Sequence, residues 1–113
     1  MSSRTIMSRT LPAAAAFALF FQSAAAIAGS ILFIGNSFTF AAGSPVQFYH
    51  PESVTDLNGG GIGGVPALFK SFTAQAGLKF DVSLETAPGM GLDYHYRNKA
   101  DVIGKAWDYV VIS

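Results

Sequence analysis

The 113-residue chain has no cysteine, so it carries neither a disulfide framework nor a thiolate metal site. Charged residues are also scarce, at 12% of the sequence, and they form no run of either sign. A nucleic-acid partner is therefore not expected, because no basic stripe is present to neutralise phosphates. Half of the residues are apolar, which argues against disorder, and the length allows one domain at most.

Residues 1–28 have the three-part pattern of a secretory signal peptide. Arg4 and Arg9 precede an alanine-rich apolar stretch, and small residues in the A-x-A relation end at Ala28. An uncleaved membrane anchor is the alternative, but a proline and two polar residues interrupt the apolar stretch. We expect cleavage after Ala28 and a secreted or periplasmic protein that meets the membrane only through this leader. Residues 29–113 then carry five basic and seven acidic side chains, a net charge of −2.

The remaining sequence predicts alternating strands and helices, which favours an α/β fold with a parallel sheet and right-handed crossovers. Continuous apolar runs predict buried strands, and strict alternation at 79–86 predicts a strand with one exposed face near a sheet edge. The apolar stripe of the first helix consists of Leu68, Phe69, Phe72 and Ala76. The predicted elements are a strand at 30–34, a turn-rich loop at 35–64, a helix from Pro66 to a Gly77 cap, a strand at 79–86, a glycine loop at 87–91, a weaker helix at 92–106 and a buried strand at 109–112.

A parallel sheet of three strands is too small to form a complete domain of this class. Its strands normally have helices on both faces, and the apolar strand at 109–112 would be left with an open edge. We therefore expect a domain cut short after its third strand.

The residues after the first strand, Gly35-Asn36-Ser37, form the best candidate for a site. Ligands of open α/β sheets bind beyond the carboxyl ends of the strands, and Ser37 lies just past one. Glycine permits a sharp turn there, and a helical turn after the serine would aim backbone N–H groups at its oxygen. The alternative is that Ser37 only caps a helix.

Three segments, in the same order, resemble a known family. Residues 31–39 (ILFIGNSFT) resemble the first signature block of the SGNH (GDSL-type) hydrolases, in the variant with Asn before the serine. Residues 86–92 (TAPGMGL) resemble the second block, and residues 107–112 (WDYVVI) are similar to the family's third strand. The resemblance implies a flavodoxin-like, three-layer α/β/α fold and ester hydrolysis by a nucleophilic serine, with no cofactor and no metal.

By position, the resemblance makes Ser37 the nucleophile. Its backbone N–H and that of Gly89 would contribute to the oxyanion hole, with Gly91 as the rival to Gly89. Gly35 and Asn36 would support the turn. The family's later asparagine and its Asp-x-x-His motif are absent from the sequence, and a serine without a base is a poor nucleophile.

Residues 29–113 are thus expected to be the N-terminal part of an exported esterase for acyl or acetyl esters of small molecules or carbohydrates. Such a part alone is expected to be nearly inactive. One alternative is a non-catalytic, exported α/β ligand-binding module. Another is a truncated reading frame without a stable product.

The two histidines are not expected to replace the missing base. His50 precedes a proline in the long loop and is expected to be exposed to solvent. His95 is expected either to pack in the interior or to line the rim of the substrate cleft. His95→Ala is accordingly expected to leave any residual esterase rate unchanged.

Two further patterns are weaker. Gly59, Gly61 and Gly64 match a dinucleotide-binding fingerprint, but no strand directly precedes them, which favours a flexible glycine loop at the site entrance. His50, Glu52 and Asp56 could suggest a metal site, but their spacing fits no standard set of ligands.

Overall fold

The computed structural model describes residues 26–113, which form a four-stranded, all-parallel sheet with helices packed on it. The predicted α/β fold is thereby confirmed. The elements are β1 (Ala26–Gly35), a 3₁₀ turn (Pro51–Ser53), β2 (Thr55–Asp56), α1 (Gly64–Gln75), β3 (Leu78–Thr86), α2 (Leu92–Asn98), α3 (Ala100–Ile103) and β4 (Tyr109–Ile112), and the strand order is β2-β3-β1-β4.

The central strand β1 is longer than the predicted strand at 30–34. It pairs with β3 from Ala26↔Leu78 to Gly35↔Thr86, with a register shift between Ile27 and Gly29. Residues 1–25 of the predicted signal peptide lie outside the described residues. Cleavage after Ala28 would leave the pairing from Gly29↔Phe80 onward in place.

Strand β3 lies next to the sheet edge, in agreement with the sequence prediction. The two-residue edge strand β2 pairs with it through Thr55↔Ser83 and Asp56↔Leu84, so β3 has a strand on each side at these two residues. Its polar face is exposed at Lys79 and Asp81, as predicted, but Ser83 and Glu85 are buried. The alternation of residue types therefore indicated the two faces correctly, and the exposure of the polar face in the first half of the strand only.

Helices cover both faces of the sheet. On one face, Leu84 belongs to the apolar core with Phe33, and Phe69 of α1 meets the Phe33 ring edge-on at 5.5 Å between centroids. The next residue of β3, Glu85, points to the opposite face and contacts His95 of α2. The sheet is therefore the middle of three layers.

Helix α1 ends close to where the sequence predicted, since Gly77 follows it with a φ of 80° and donates its N–H to Ala74. The predicted apolar stripe is only partly correct. Phe69 packs on the core, but Phe72 is 62% exposed, and the fully buried residues of the helix lie in its first turn.

Strand β4 was predicted to be buried and is not: its four residues are all exposed. Among the described strands it pairs with β1 alone, from Ile31↔Tyr109 to Ile34↔Ile112, and its apolar side chains are exposed. The single helix predicted at 92–106 is instead the two short helices α2 and α3, and Gly104 follows the second. Within residues 26–113, no helix has the length and apolar character needed to cross a membrane.

Candidate functional site

The carboxyl ends of β1 and β3 lie side by side and carry the two best candidate residues of the sequence. Gly35 and Thr86 are register partners, and the N–H of Ala87 donates to the Gly35 carbonyl at 3.1 Å. Ser37 lies two residues beyond one partner and Gly89 three residues beyond the other. The predicted site therefore falls at the edge where parallel sheets bind ligands.

Gly35 is required by close packing. A Cβ atom there would lie 1.9 Å from Oγ1 of Thr39 and 2.6 Å from Oγ of Ser113. Those two hydroxyls are hydrogen-bonded to each other at 2.5 Å, and the Ser113 N–H donates to the Ile34 carbonyl at 3.1 Å. The absent side chain thus lets the turn after β1 fold back onto the strand.

Asn36 holds the turn, as the sequence predicted. Its Oδ1 accepts the N–H of Phe38 at 3.1 Å, which is an Asx turn, and its carbonyl accepts the N–H of Phe40 at 3.2 Å. The chain continues as turns rather than as a helix, so Ser37 is not a helix cap. Ser37 is half-buried, and its Oγ makes no hydrogen bond to any residue of the described part.

Gly89 and Gly91, the rivals for the second oxyanion donor, differ in backbone conformation. Gly89 has a φ of 69°, in the left-handed region that favours glycine, and an added Cβ would contact nothing. Gly91 precedes α2 with an ordinary φ of −93°. Gly89 is therefore the position whose conformation calls for glycine.

A buried Glu85–His95 pair lies beneath this edge of the sheet. Nδ1 of His95 is 2.6 Å from Oε2 of Glu85, and Nε2 is 3.0 Å from the carbonyl oxygen of Gly35. The His95 residue is 1% exposed and Glu85 is 0% exposed. His95 thus packs as predicted but does not line a rim. Glu85 was missed, because its place on the polar face of β3 indicated exposure.

The other oxygen of Glu85, Oε1, has no hydrogen-bond partner among the described residues. The ammonium of Lys99 is 3.7 Å away and donates to Oδ1 of Asn58 at 3.1 Å. Asn58 in turn donates to the carbonyl of Thr86 at 3.0 Å. These contacts join the loop before α1 to the end of β3.

His50 does not belong to this cluster. It is exposed, as predicted, and its Nδ1 is 2.8 Å from Oε1 of Glu52. The hydrogen bond to His50 is the main reason that the pKa of Glu52 is lowered from its ordinary value of 4.5.

Asp56 organises the glycine loop. Its Oδ1 accepts the N–H of Asn58 at 3.0 Å, and its Oδ2 accepts those of Gly60 at 3.0 Å and Ile62 at 3.2 Å. The loop predicted to be flexible is therefore held by three hydrogen bonds. Among residues 26–113, no group of three or more acidic, histidine or cysteine side chains is placed to hold a metal ion.

A pocket of about 210 Å³ opens at the same edge as Ser37. A larger pocket, of about 440 Å³, lies at the other end of the strands, around Ser30, Lys79 and Asp108. The smaller pocket has the better position for a site, because ligands bind at the carboxyl ends of parallel strands. The exposed surface of its lining is mainly apolar, although amide, hydroxyl and carboxylate side chains contribute, and Ser37 and Gly89 lie outside the lining. The lining residues are Phe40, Gln47, Asp56, Asn58, Gly60, Ile62, Thr86 and Pro88.

Comparison of the chain with protein-family models, with curated proteins and with solved structures found no match. The resemblance to SGNH hydrolases thus rests on the residues of the three segments in the sequence.

Proposed function

We propose that this chain is the N-terminal part of an exported serine esterase of the SGNH type, with Ser37 as the nucleophile. The observation that carries the proposal is the position of Ser37. It follows the central strand at the carboxyl edge of the sheet, on a turn fixed by Asn36 and by the close packing at Gly35. The strand order β3-β1-β4, with helices on both faces, supports the flavodoxin-like form of the fold.

In the proposed reaction, Oγ of Ser37 attacks the carbonyl carbon of an acyl or acetyl ester and loses its proton to a base. The bond to the alcohol oxygen breaks, and the base passes the proton to that oxygen as the alcohol leaves. Water then attacks the acyl-serine and releases a carboxylic acid, which restores the Ser37 hydroxyl. The backbone N–H groups of Ser37 and Gly89 would donate hydrogen bonds to the oxyanion. Removing one such donor typically raises the activation barrier by about 3–4 kcal/mol. No metal or cofactor is needed for these steps.

Neither histidine is available as the base. His95 has both ring nitrogens engaged, and His50 is paired with Glu52 on the surface. We propose that the base is the Asp-x-x-His motif of a longer protein. The exposed apolar side chains of β4 support the proposal of a longer protein, because strands of parallel sheets are normally covered on both faces.

The pocket of about 210 Å³ suits the acyl part of the substrate. A dry apolar cavity of about 150 Å³ accommodates benzene, so a short acyl group fits the available volume. Phe40, Ile62 and Pro88 would supply the apolar contacts. The substrate class we propose is therefore an ester with a small acyl group, carried on a small molecule or a carbohydrate.

The second candidate is an exported module that binds a ligand without reacting with it. The observation that favours it is that both histidines are engaged elsewhere, His95 with Glu85 and Gly35 and His50 with Glu52. Such a module would keep the pocket and the turn but show no ester hydrolysis.

The deciding experiment is p-nitrophenyl acetate hydrolysis by the protein expressed from its whole reading frame. We expect Ser37→Ala to abolish hydrolysis, and Ser53→Ala, in the 3₁₀ turn, to leave it unchanged. Equal rates for both variants would remove Ser37 from the reaction, and no hydrolysis by any of them would favour the binding module. Mass spectrometry of the exported protein should find Gly29 at its N-terminus, and an intact residue 1 would contradict cleavage.

A further inference from the structure

We infer that His95, held by Glu85, is a positioning residue for Ser37. Its ring fixes the carbonyl group of Gly35, two residues ahead of the serine, at a distance of 3.0 Å. The inference rests on the proposed role of Ser37 and adds the two buried residues on which the geometry of the turn depends.

The protons of the pair follow from its contacts. A carbonyl oxygen can only accept, so Nε2 of His95 carries the hydrogen and donates it to Gly35. The 2.6 Å contact between Nδ1 and Glu85 then holds one proton between the ring and the carboxyl group. With Nε2 donating, His95 has no free lone pair with which to accept a proton from Ser37.

The carbonyl of Gly35 is fixed from two directions. The backbone N–H of Ala87 donates to it from the end of β3, and Nε2 of His95 donates to it from helix α2, which packs on one face of the sheet. Because the peptide bond is planar, fixing this oxygen also fixes the N–H of Asn36, the residue just before the proposed nucleophile. Small displacements at a reacting group cost large factors in rate.

Stability alone does not explain the pair. A buried ion pair recovers little net stability, because removing both groups from water offsets their attraction, and apolar side chains often serve as well. The pair is nevertheless completely enclosed, and the Lys99 ammonium lies 3.7 Å from the second oxygen of Glu85. What an apolar replacement could not supply is the donor to Gly35.

Two substitutions at His95 separate the contacts. The amide nitrogen of glutamine reaches about as far as Nε2, so His95→Gln can keep the donor to Gly35 while losing the bond to Glu85. Asparagine reaches only as far as Nδ1, so His95→Asn can keep the bond to Glu85 while losing Gly35. The same substitutions at the exposed His50 are the matched controls.

In the protein expressed from its whole reading frame, we expect His95→Asn to lower kcat for p-nitrophenyl acetate by about 10- to 100-fold with little change in KM. His95→Gln should stay within about threefold of the original, and both His50 variants should be unchanged. This reverses the expectation, from the sequence, that His95→Ala leaves the rate unaffected. Equal losses in the Asn and Gln variants, or no loss in either, would overturn the inference.

A spectroscopic measurement distinguishes failure of this inference from failure of the proposed function. In ¹⁵N-labelled protein, Nε2 of His95 should carry a hydrogen, and His95→Asn should shift the amide signals of Asn36 and Ala87 more than His95→Gln does. An Nε2 without hydrogen, or unchanged amide signals, would refute the positioning by His95. If Ser37→Ala leaves hydrolysis intact, the proposed nucleophile is wrong, whatever the spectra show.

Discussion

Replacing Gly35 with alanine should destabilise the protein strongly, because the new Cβ has no room. It would lie 1.9 Å from Oγ1 and 2.7 Å from Cβ of Thr39, which is 7% exposed and has little space to move. Overpacking of this kind costs about 1–3 kcal/mol, and losing the bond between Thr39 and Ser113 adds about 1 kcal/mol. We expect a loss of about 3 kcal/mol in the free energy of unfolding and a Tm lower by about 12–24 °C.

Urea denaturation of matched variants tests this reasoning. Thr39→Ala removes the closest atom but leaves its Cβ, so Gly35→Ala combined with Thr39→Ala should recover about 1 kcal/mol relative to the sum of the single changes. Gly91→Ala is the control, because its Cβ would meet only the side chain of Asp93, at 3.0 Å. The steric explanation is refuted if Gly35→Ala costs no more than the control, or if the double variant shows no recovery.

Three further perturbations test other parts of the structure. Asp56→Ala should cost about 2–3 kcal/mol and speed hydrogen exchange at the amides of Gly60 and Ile62, whereas the exposed Asp81→Ala should do neither; equal exchange in both variants would contradict the ordering of the glycine loop. His50→Ala should raise the pKa of Glu52 towards 4.5 in an NMR titration, and an unmoved pKa would exclude the hydrogen bond as the cause. Because the folded pKa is lowered, any stabilisation by this pair exists above pH 4.5 and is lost as the pH falls through the lowered value, but the exposure of both groups means that no change in Tm is expected. Leu84→Ala, at a fully buried position, should cost about 2–5 kcal/mol in the same urea assay, and a loss below about 1 kcal/mol would contradict its place in the core.

The parts of the fold that follow from local pattern could be predicted from the sequence. The apolar run before Gly35 gave the central strand, and the alternation after Lys79 gave the next one. The spacing of Gly77 gave the end of α1. Each of these signals acts within one element and depends little on its neighbours.

The remainder depended on packing between elements. Strand β2 has two residues, too few to show a period, yet it gives β3 a second neighbour at Ser83 and Leu84. The burial of Glu85 depends on α2 placing His95 over it, and the exposure of β4 depends on the lack of a second neighbour among the described residues. The residue types along one strand therefore predict neither the burial of Glu85 nor the exposure of β4.

The same division holds for the candidate site. Gly35, Asn36, Ser37 and Gly89 could be selected as candidates from residue order, because they lie at or just beyond the carboxyl ends of two adjacent strands. The role of Asn36 in the turn could be predicted as well. The bonds from His95 to Glu85 and to Gly35 could not, because they join positions 10 and 60 residues apart across different layers.

The most direct test of Ser37 as the nucleophile is labelling with a serine-directed fluorophosphonate, followed by peptide mass spectrometry. The protein is expressed from its whole reading frame and treated alongside Ser37→Ala and Ser53→Ala. We predict one adduct, on the peptide containing Ser37, that is absent from Ser37→Ala and retained in Ser53→Ala. An adduct on another serine, or ester hydrolysis without any adduct at Ser37, would contradict a nucleophilic role for this residue.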